Sequence, residues 1–384
     1  MATGSVLSIN MAFQQPKTLP GAIDPLYDSA SSTDLYIPIV QMHCNPAQSF
    51  RLAFSVLVVT TSIVALPLHM NSTAALLGRR GHSTTSNHSL PVGANGTTTP
   101  TDNQTPLSAL FPVPSLSNWT TCTGAPDARP LSDATLRPFK IESGMTHTYM
   151  QMAGKSAMEA NYPVGSYIPS KKPLGGFSFY APGPEDVDLT TAAEATFGYS
   201  ILFPAGFNFV MGGKLPGIYG GDDATTAVSC SGGRRDTSCF SARLIWRTNG
   251  AGEIYTYIPD PSATTGTGNY TANKQLCVKP NECNDTYGAS IARGAFTFAT
   301  GAWTTLSQRV KLNTVGQPDG ELELFVDGKS VISAKGLIIR DSAEGRIRGL
   351  QMQTFFGGST KEWASPTDQK VYFADFSVAI TSKL

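Results

Sequence analysis

Ser241-Ala-Arg-Leu-Ile-Trp-Arg-Thr-Asn-Gly-Ala-Gly-Glu-Ile-Tyr-Thr-Tyr257 reads as two alternating strands around a polar, glycine-containing centre, the signature of a β-hairpin. Placing Arg247 opposite Glu253 puts Ile245 opposite Tyr255 and Arg243 opposite Tyr257. Successive strand side chains point to opposite faces. Ser241, Arg243, Tyr255 and Tyr257 therefore share one face. Ala242, Leu244, Trp246, Ile254, Thr256 and Ile258 share the other, which has the character of a core. An arginine, a serine and two tyrosines make a wet, aromatic, cationic surface suited to an anionic sugar, because arginine grips a carboxylate with a two-point fork. The competing reading is an ordinary solvated face with cross-strand tyrosine pairs.

Outward from the hairpin the pattern repeats. Phe177–Tyr180, Phe207–Met211, Phe296–Phe298 and Glu321–Val326 each fit a short strand, and Asp327-Gly328 is a hairpin turn. No long 3.6-residue apolar period interrupts them, so residues 136–384 are expected to form an all-β, two-sheet β-jelly roll or sandwich. In Leu350-Gln-Met-Gln-Thr-Phe-Phe356, Gln351 and Gln353 share a face opposite Leu350 and Met352; they would bind sugar hydroxyls or pair with a neighbouring strand. Trp363 would stack on a sugar or cap the core. Composition agrees with an all-β domain: the 384 residues include 37 Gly, 26 Pro, 19 Phe and 13 Tyr. Lys plus Arg and Asp plus Glu both number 28, giving zero net charge. That excludes a chain that coats nucleic acid by bulk positive charge and a highly charged disordered chain.

The N-terminal part differs. Residues 52–68, LAFSVLVVTTSIVALPL, are apolar and uncharged, with Arg51 before them and Met42 upstream. Residues 42–70 are expected to be a signal peptide or signal anchor, with 1–41 a gene-model extension or cytoplasmic tail; a buried core helix is the bland alternative. Seven Asn-X-Ser/Thr sequons follow: Asn71, Asn87, Asn95, Asn103, Asn118, Asn269 and Asn284. From Asn71 to Pro130, 35 of 60 residues are Ser, Thr, Asn, Pro or Gly, so residues 71–135 are expected to be a glycosylated linker with too little apolar surface to offset ordering entropy. Cys230 with Cys239, and Cys277 with Cys283, are close enough in sequence to close disulfide loops in an oxidising compartment. Cys122 is left over. With no Cys-x-x-Cys and no nearby histidines, these cysteines are not expected to hold a metal.

Familiar catalytic signatures are missing. There is no Gly-x-Ser-x-Gly elbow, and Met211-Gly-Gly-Lys-Leu-Pro-Gly217 lacks the Gly-Lys-Ser/Thr ending of a phosphate loop. His147, alone after the linker, reads as structural. Asp222 and Asp223 are neighbours and would point apart on a strand, a poor carboxylate pair.

Gly212-Gly-Lys-Leu-Pro-Gly217, Ser241-x-Arg243 and Tyr255-x-Tyr257, followed by Thr354-Phe-Phe-Gly-Gly-Ser359, Trp363, Ser365-Pro366 and Tyr372-Phe-x-Asp375-Phe, resemble polysaccharide lyase family 14 across residues 136–384. The resemblance implies a jelly roll with a cleft on its concave sheet. It also implies β-elimination on an alginate- or glucuronan-like polyuronate, with the family's functional Lys, Ser, Arg and paired Tyr falling on Lys214, Ser241, Arg243, Tyr255 and Tyr257.

The chemistry follows from the residues as well. Removing the hydrogen at C5 of a 4-linked uronate builds charge on the carboxylate, which Arg243 would neutralise without a metal. Lys214 or a tyrosinate would take the proton; lysine's usual pKa of about 10.4 would first have to fall. Tyr255 or Tyr257 would protonate O4. Ser241 would orient substrate, since no histidine base is evident beside it. No cofactor is expected, and the partner is an acidic polysaccharide rather than nucleic acid. The protein would act as a secreted monomer, at a membrane only if residues 52–68 stay uncleaved. Non-catalytic carbohydrate binding is the main alternative, and a structural cell-wall glycoprotein is a third. Elimination requires Lys214, Arg243 and a tyrosine to converge on one site; sugar binding does not. Unreduced peptide mapping of protein from its native host is expected to show glycan on Asn95 and Asn103 and both cysteine pairs bridged. Free thiols at all four cysteines with both asparagines bare would overturn the export reading.

Overall fold

The computed structural model describes residues 105–384, apart from 267, 285 and 286. The expected extension (1–41), signal segment (42–70) and first part of the linker (71–104) lie outside the described residues. Among the described residues no helix is long and apolar enough to cross a membrane.

Two antiparallel sheets form the domain. One contains β1 (Ser117–Thr120), β2 (Thr148–Met152), β3 (Lys155–Tyr162), β5 (Ala192–Leu202), β11 (Trp303–Lys311), β12 (Gly320–Val326), β13 (Lys329–Leu337) and β15 (Gln369–Lys383). The other contains β4 (Phe177–Ala181), β6 (Gly212–Gly221), β7 (Cys239–Arg247), β8 (Ala251–Tyr257), β9 (Glu282–Cys283), β10 (Ala289–Thr297) and β14 (Arg346–Phe356). The eight-stranded sheet runs β13-β12-β11-β5-β15-β3-β2 with β1 added beside β15, and the seven-stranded sheet runs β4-β14-β6-β7-β8-β10-β9. This is the expected all-β jelly roll, built from non-local pairings such as β5 with β15 and β14 with β6.

Alternation fills the space between the sheets. Phe197, Tyr199, Phe373 and Phe376 come from the eight-stranded sheet; Phe177, Phe179, Leu244, Trp246, Leu350 and Met352 come from the other. Trp246 is wholly buried, in edge contact with Tyr162, Phe207 and Phe356 at 5.3–6.2 Å between centroids. Its Nε1 donates to the Phe209 carbonyl at 3.1 Å, so its one polar atom is satisfied inside an apolar core.

Two expectations change. Phe207–Met211 is a loop rather than a strand. Val210 has φ +49, and its N–H donates to Asn208 Oδ1 at 3.0 Å; this local turn competes with the sheet ladder. Phe207 and Phe209 are still buried, which is why the apolar alternation imitates a strand.

The folded unit also starts well before Leu136. In residues 105–135, read from composition as linker, Leu110 and Trp119 are buried, and β1 pairs with β15 from Ser117↔Ile380 to Thr120↔Ser377. Thr105 joins a buried cluster in which Lys155 Nζ donates to Asp375 Oδ2 at 2.7 Å and to Thr105 Oγ1 at 2.6 Å. A few large apolar groups and one ion pair anchor a segment whose average composition is polar. The Cys230–Cys239 and Cys277–Cys283 bridges are present. Cys122 is free and buried; burial, reinforced by Asp375, pushes its thiol up to about 11, leaving it inert.

Trp119→Ala is expected to cost about 3–5 kcal/mol, the usual penalty for emptying a buried aromatic site. Denaturant unfolding would measure it, and an unchanged midpoint would restore the linker reading.

Candidate active site

The face of the seven-stranded sheet turned away from the core collects the polar motif residues. The β7–β8 register is Ser241↔Tyr257, Arg243↔Tyr255 and Ile245↔Glu253, so Arg243 lies opposite Tyr255 rather than the expected Tyr257. The ladder ends at Trp246↔Gly252 because the Thr248–Gly250 turn holds Asn249 at φ +59 and Gly250 at φ +77. A slip of two residues keeps every side chain on its expected face. Arg247 and Glu253 still meet, diagonally: Arg247 Nε and Nη2 donate to Glu253 Oε1 at 3.0 and 2.6 Å.

Lys214 enters this face from β6, paired with Ile245 on one side and Phe355 on the other. The Gly-Gly-Lys-Leu-Pro-Gly run is strand, not a phosphate loop. A Cβ at Gly213 would lie 2.1 Å from the Trp246 ring, and one at Gly217 would lie 2.0 Å from the Ala242 carbonyl oxygen. Pro216 has no N–H to give, and the β6–β7 pairing is interrupted between Leu215 and Ile218, a bulge of the kind that re-aims side chains beside sites.

The expected residues come together. Lys214 Nζ lies 3.9 Å from the Tyr255 ring centroid and 6.0 Å from that of Tyr257. The Arg243 guanidinium carbon is 5.7 Å from the Tyr257 ring, and the two tyrosine rings meet edge-on at 5.8 Å. Gln351 and Gln353 lie on the same face, but in the chain of hydrogen bonds that orients Arg243. Arg243 Nη1 and Gln351 Nε2 both donate to Gln353 Oε1 at 2.8 Å, and Gln353 Nε2 donates to Ser178 Oγ at 2.9 Å. This is the neighbouring-strand pairing considered as an alternative to sugar binding.

None of the seven side chains exceeds 4% exposure, so the wet surface imagined from the sequence is a desolvated one. Part of the cover is the loop closed by Cys230–Cys239. Its Gly233 N–H donates to Tyr257 Oη at 3.3 Å, and Ser241 Oγ donates to the Cys230 carbonyl at 2.8 Å. Trp363 packs with Ile245, Tyr255 and Tyr257, so it caps the cluster rather than presenting a stacking face.

Burial pushes the Tyr255 phenol up to about 12; Arg247, the Gly288 N–H and Arg243 oppose the rise and Glu253 adds to it. Its oxygen accepts from Gly288 N–H at 3.2 Å, leaving its own proton available to donate. Glu253 is already compensated by Arg247 and Arg293, so it does not cancel the positive charge of Arg243, and the face favours an anion.

Sequence reasoning missed Tyr180, which accepts from Gln351 and meets Tyr219 edge-on at 4.8 Å. It also missed the Glu253–Ser290–Arg293 group. The parity of Phe177–Tyr180 could have flagged Tyr180; nothing local marks Ser290 or Arg293. His147 is structural, bonding Asp133 at 2.7 Å. Asp223 caps the short helix Ala224–Ala227, and Asp222 accepts from Ser342, so the two acids are no catalytic pair.

The polysaccharide lyase 14 family matches residues 150–376. The fold is similar to a marine alginate lyase of that family from Aplysia kurodai, with 29% identity and a TM-score of 0.57 over 70% of this chain and 100% of that one. It is also similar to an alginate lyase from a Chlorella virus, with 24% identity and a TM-score of 0.52 over 64% of this chain and 93% of that one. No curated protein matches the sequence.

Proposed function

The chain belongs to polysaccharide lyase family 14, and from that premise we propose that it cleaves an alginate- or glucuronan-like polyuronate by β-elimination, without a metal ion, outside the cell. The observation that carries this reading is the convergence of Lys214, Arg243, Tyr255 and Tyr257 on one sheet face, with Lys214 Nζ 3.9 Å from the Tyr255 ring. A sugar-binding protein has no need of that arrangement. The two disulfides support an oxidising, extracytoplasmic compartment.

Arg243, held by Gln353, binds the uronate carboxylate and neutralises the charge that grows there as the C5–H bond breaks. Lys214, in its unprotonated form, takes the C5 proton. The electron pair forms the C4–C5 double bond as the C4–O4 bond breaks, and Tyr255 delivers its proton to O4. Burial keeps the Tyr255 phenol protonated well above neutral pH, so the proton that O4 needs is present on it. Tyr257 and Ser241 line the site and orient the sugar ring.

Incubation with a panel of polyuronates is expected to produce the ultraviolet absorbance of an unsaturated uronate; binding to the polymers without that product would leave a sugar-binding protein. Lys214→Ala is expected to lower turnover on the order of 10²–10⁴-fold while the protein stays folded; retention of more than about a third of the wild-type rate would move the base role to Tyr257. Arg243→Lys keeps the charge but loses the planar fork. It is expected to lose on the order of 10²–10³-fold in turnover, roughly 3–4 kcal/mol. Kinetics beside a melting curve would test it, and near-normal turnover would reduce Arg243 to a source of general positive potential.

A further inference from the structure

Glu253 lies on β8 one row from Tyr255, on the same face, and is fully buried. A carboxylate removed from water is costly unless its oxygens are filled by donors, and these are. Arg247 supplies two donors to Oε1, while Ser290 Oγ at 2.7 Å and Arg293 Nε at 2.9 Å supply Oε2. All three partners come from strands that frame the site.

The position of this cluster matters. β10 pairs with β8 only as far as Ile291↔Ile254; the ladder then breaks and resumes at Phe296↔Gly252. Ala292, at φ +51, begins the irregular stretch. Arg293 leaves it toward Glu253 and also binds Glu282 of β9 at 3.0 Å. Just before the break, Ser290 lies directly opposite Tyr255, and two residues earlier Gly288 donates its N–H to the Tyr255 hydroxyl. Glu253 thus ties β10 to β8 on both sides of the break, through Ser290 in the paired stretch that follows Gly288 and through Arg293 where backbone pairing fails.

Resting on the lyase reading above, the geometry points to Glu253 as a positioning residue. By tying Ser290 and Arg293 of β10 to Arg247 of β7, it holds Tyr255 where it can deliver a proton to the leaving oxygen. Glu253 itself does not touch the sugar. Its effect passes through the placement of Tyr255, and small misplacements of a reacting group are expensive in rate.

Glu253→Gln keeps size and most hydrogen-bonding shape but removes the charge that gathers the two arginines. It is expected to lower kcat about ten- to hundredfold, with KM changed by less than about threefold because substrate contacts remain. Introduced into a Tyr255→Phe background, the same substitution is expected to cost less than about twofold, since the residue it acts through is already disabled. A purely structural role would produce the same loss in both backgrounds. Ser290→Ala, which removes a single donor, is the second variant should Glu253→Gln not fold, and the same pattern is expected of it at smaller amplitude. Full turnover in either folded variant, or an equal loss in both backgrounds, overturns the positioning role while leaving the lyase reading intact. A wild-type protein that cleaves no polyuronate overturns both.

Discussion

The burial of Trp246 is the constraint from which the site follows. Its indole is wedged among Tyr162, Phe203, Phe207 and Phe356, and a buried aromatic of this size contributes several kcal/mol that no alternative facing would recover. With Trp246 and Leu244 committed to the core, pleating leaves Arg243 and Ile245 facing the other way. The adjacent strand must then pass beneath the indole without side chains, so glycine is required at 213, where a Cβ would collide with the Trp246 ring. Lys214, next along the strand, emerges on the same face as Arg243. Core packing on one side of the sheet thereby sets the spacing of the polar groups on the other.

Those polar groups form a graded electrostatic environment. Arg243 is aimed by Gln353, whose carbonyl oxygen accepts from both Arg243 and Gln351; the glutamines spend their hydrogen bonds on pre-organising the cation. Pre-oriented donors stabilise developing charge without having to reorganise during the reaction. Glu253 is compensated by two arginines, so its negative charge does not cancel the pull of Arg243 on a polyanion. Glu253 serves instead to tie β7, β8 and β10 together.

On the far side of the sandwich, the segment from Thr105 to Thr120 is held by different forces. Leu110 and Trp119 supply apolar burial, and the Lys155–Asp375 pair, with Thr105 and Ser200 as further partners of the carboxylate, anchors the entry point. Removing one member of such a pair would leave a buried charge uncompensated. Asp375 also belongs to the Tyr372-Phe-x-Asp375-Phe motif, so that part of the C-terminal signature serves the fold rather than the face that carries Lys214 and Arg243.

Strand periodicity is a local property, and what depended on it alone was legible in the sequence: the all-β class, the split of Ser241–Tyr257 into a core face and a polar face, and the grouping of Ser241, Arg243, Tyr255 and Tyr257. The two disulfides were legible because their partners lie six and nine residues apart. Register was not, because it was decided by the positive-φ turn at Asn249-Gly250, which displaced the pairing by two residues without disturbing the faces. The loop at Phe207–Met211 misled for a related reason: alternation records burial, and a turn can bury alternate residues as a strand does. The positions of Lys214 against Tyr255, of the glutamines against Arg243 and of Ser290 and Arg293 around Glu253 rest on strands brought together from as far as 110 residues apart in sequence. Short-range pattern carries no information about such pairings; only the order of strands in the sheet, set by how the two sheets close over a shared core, brings those side chains within reach of one another.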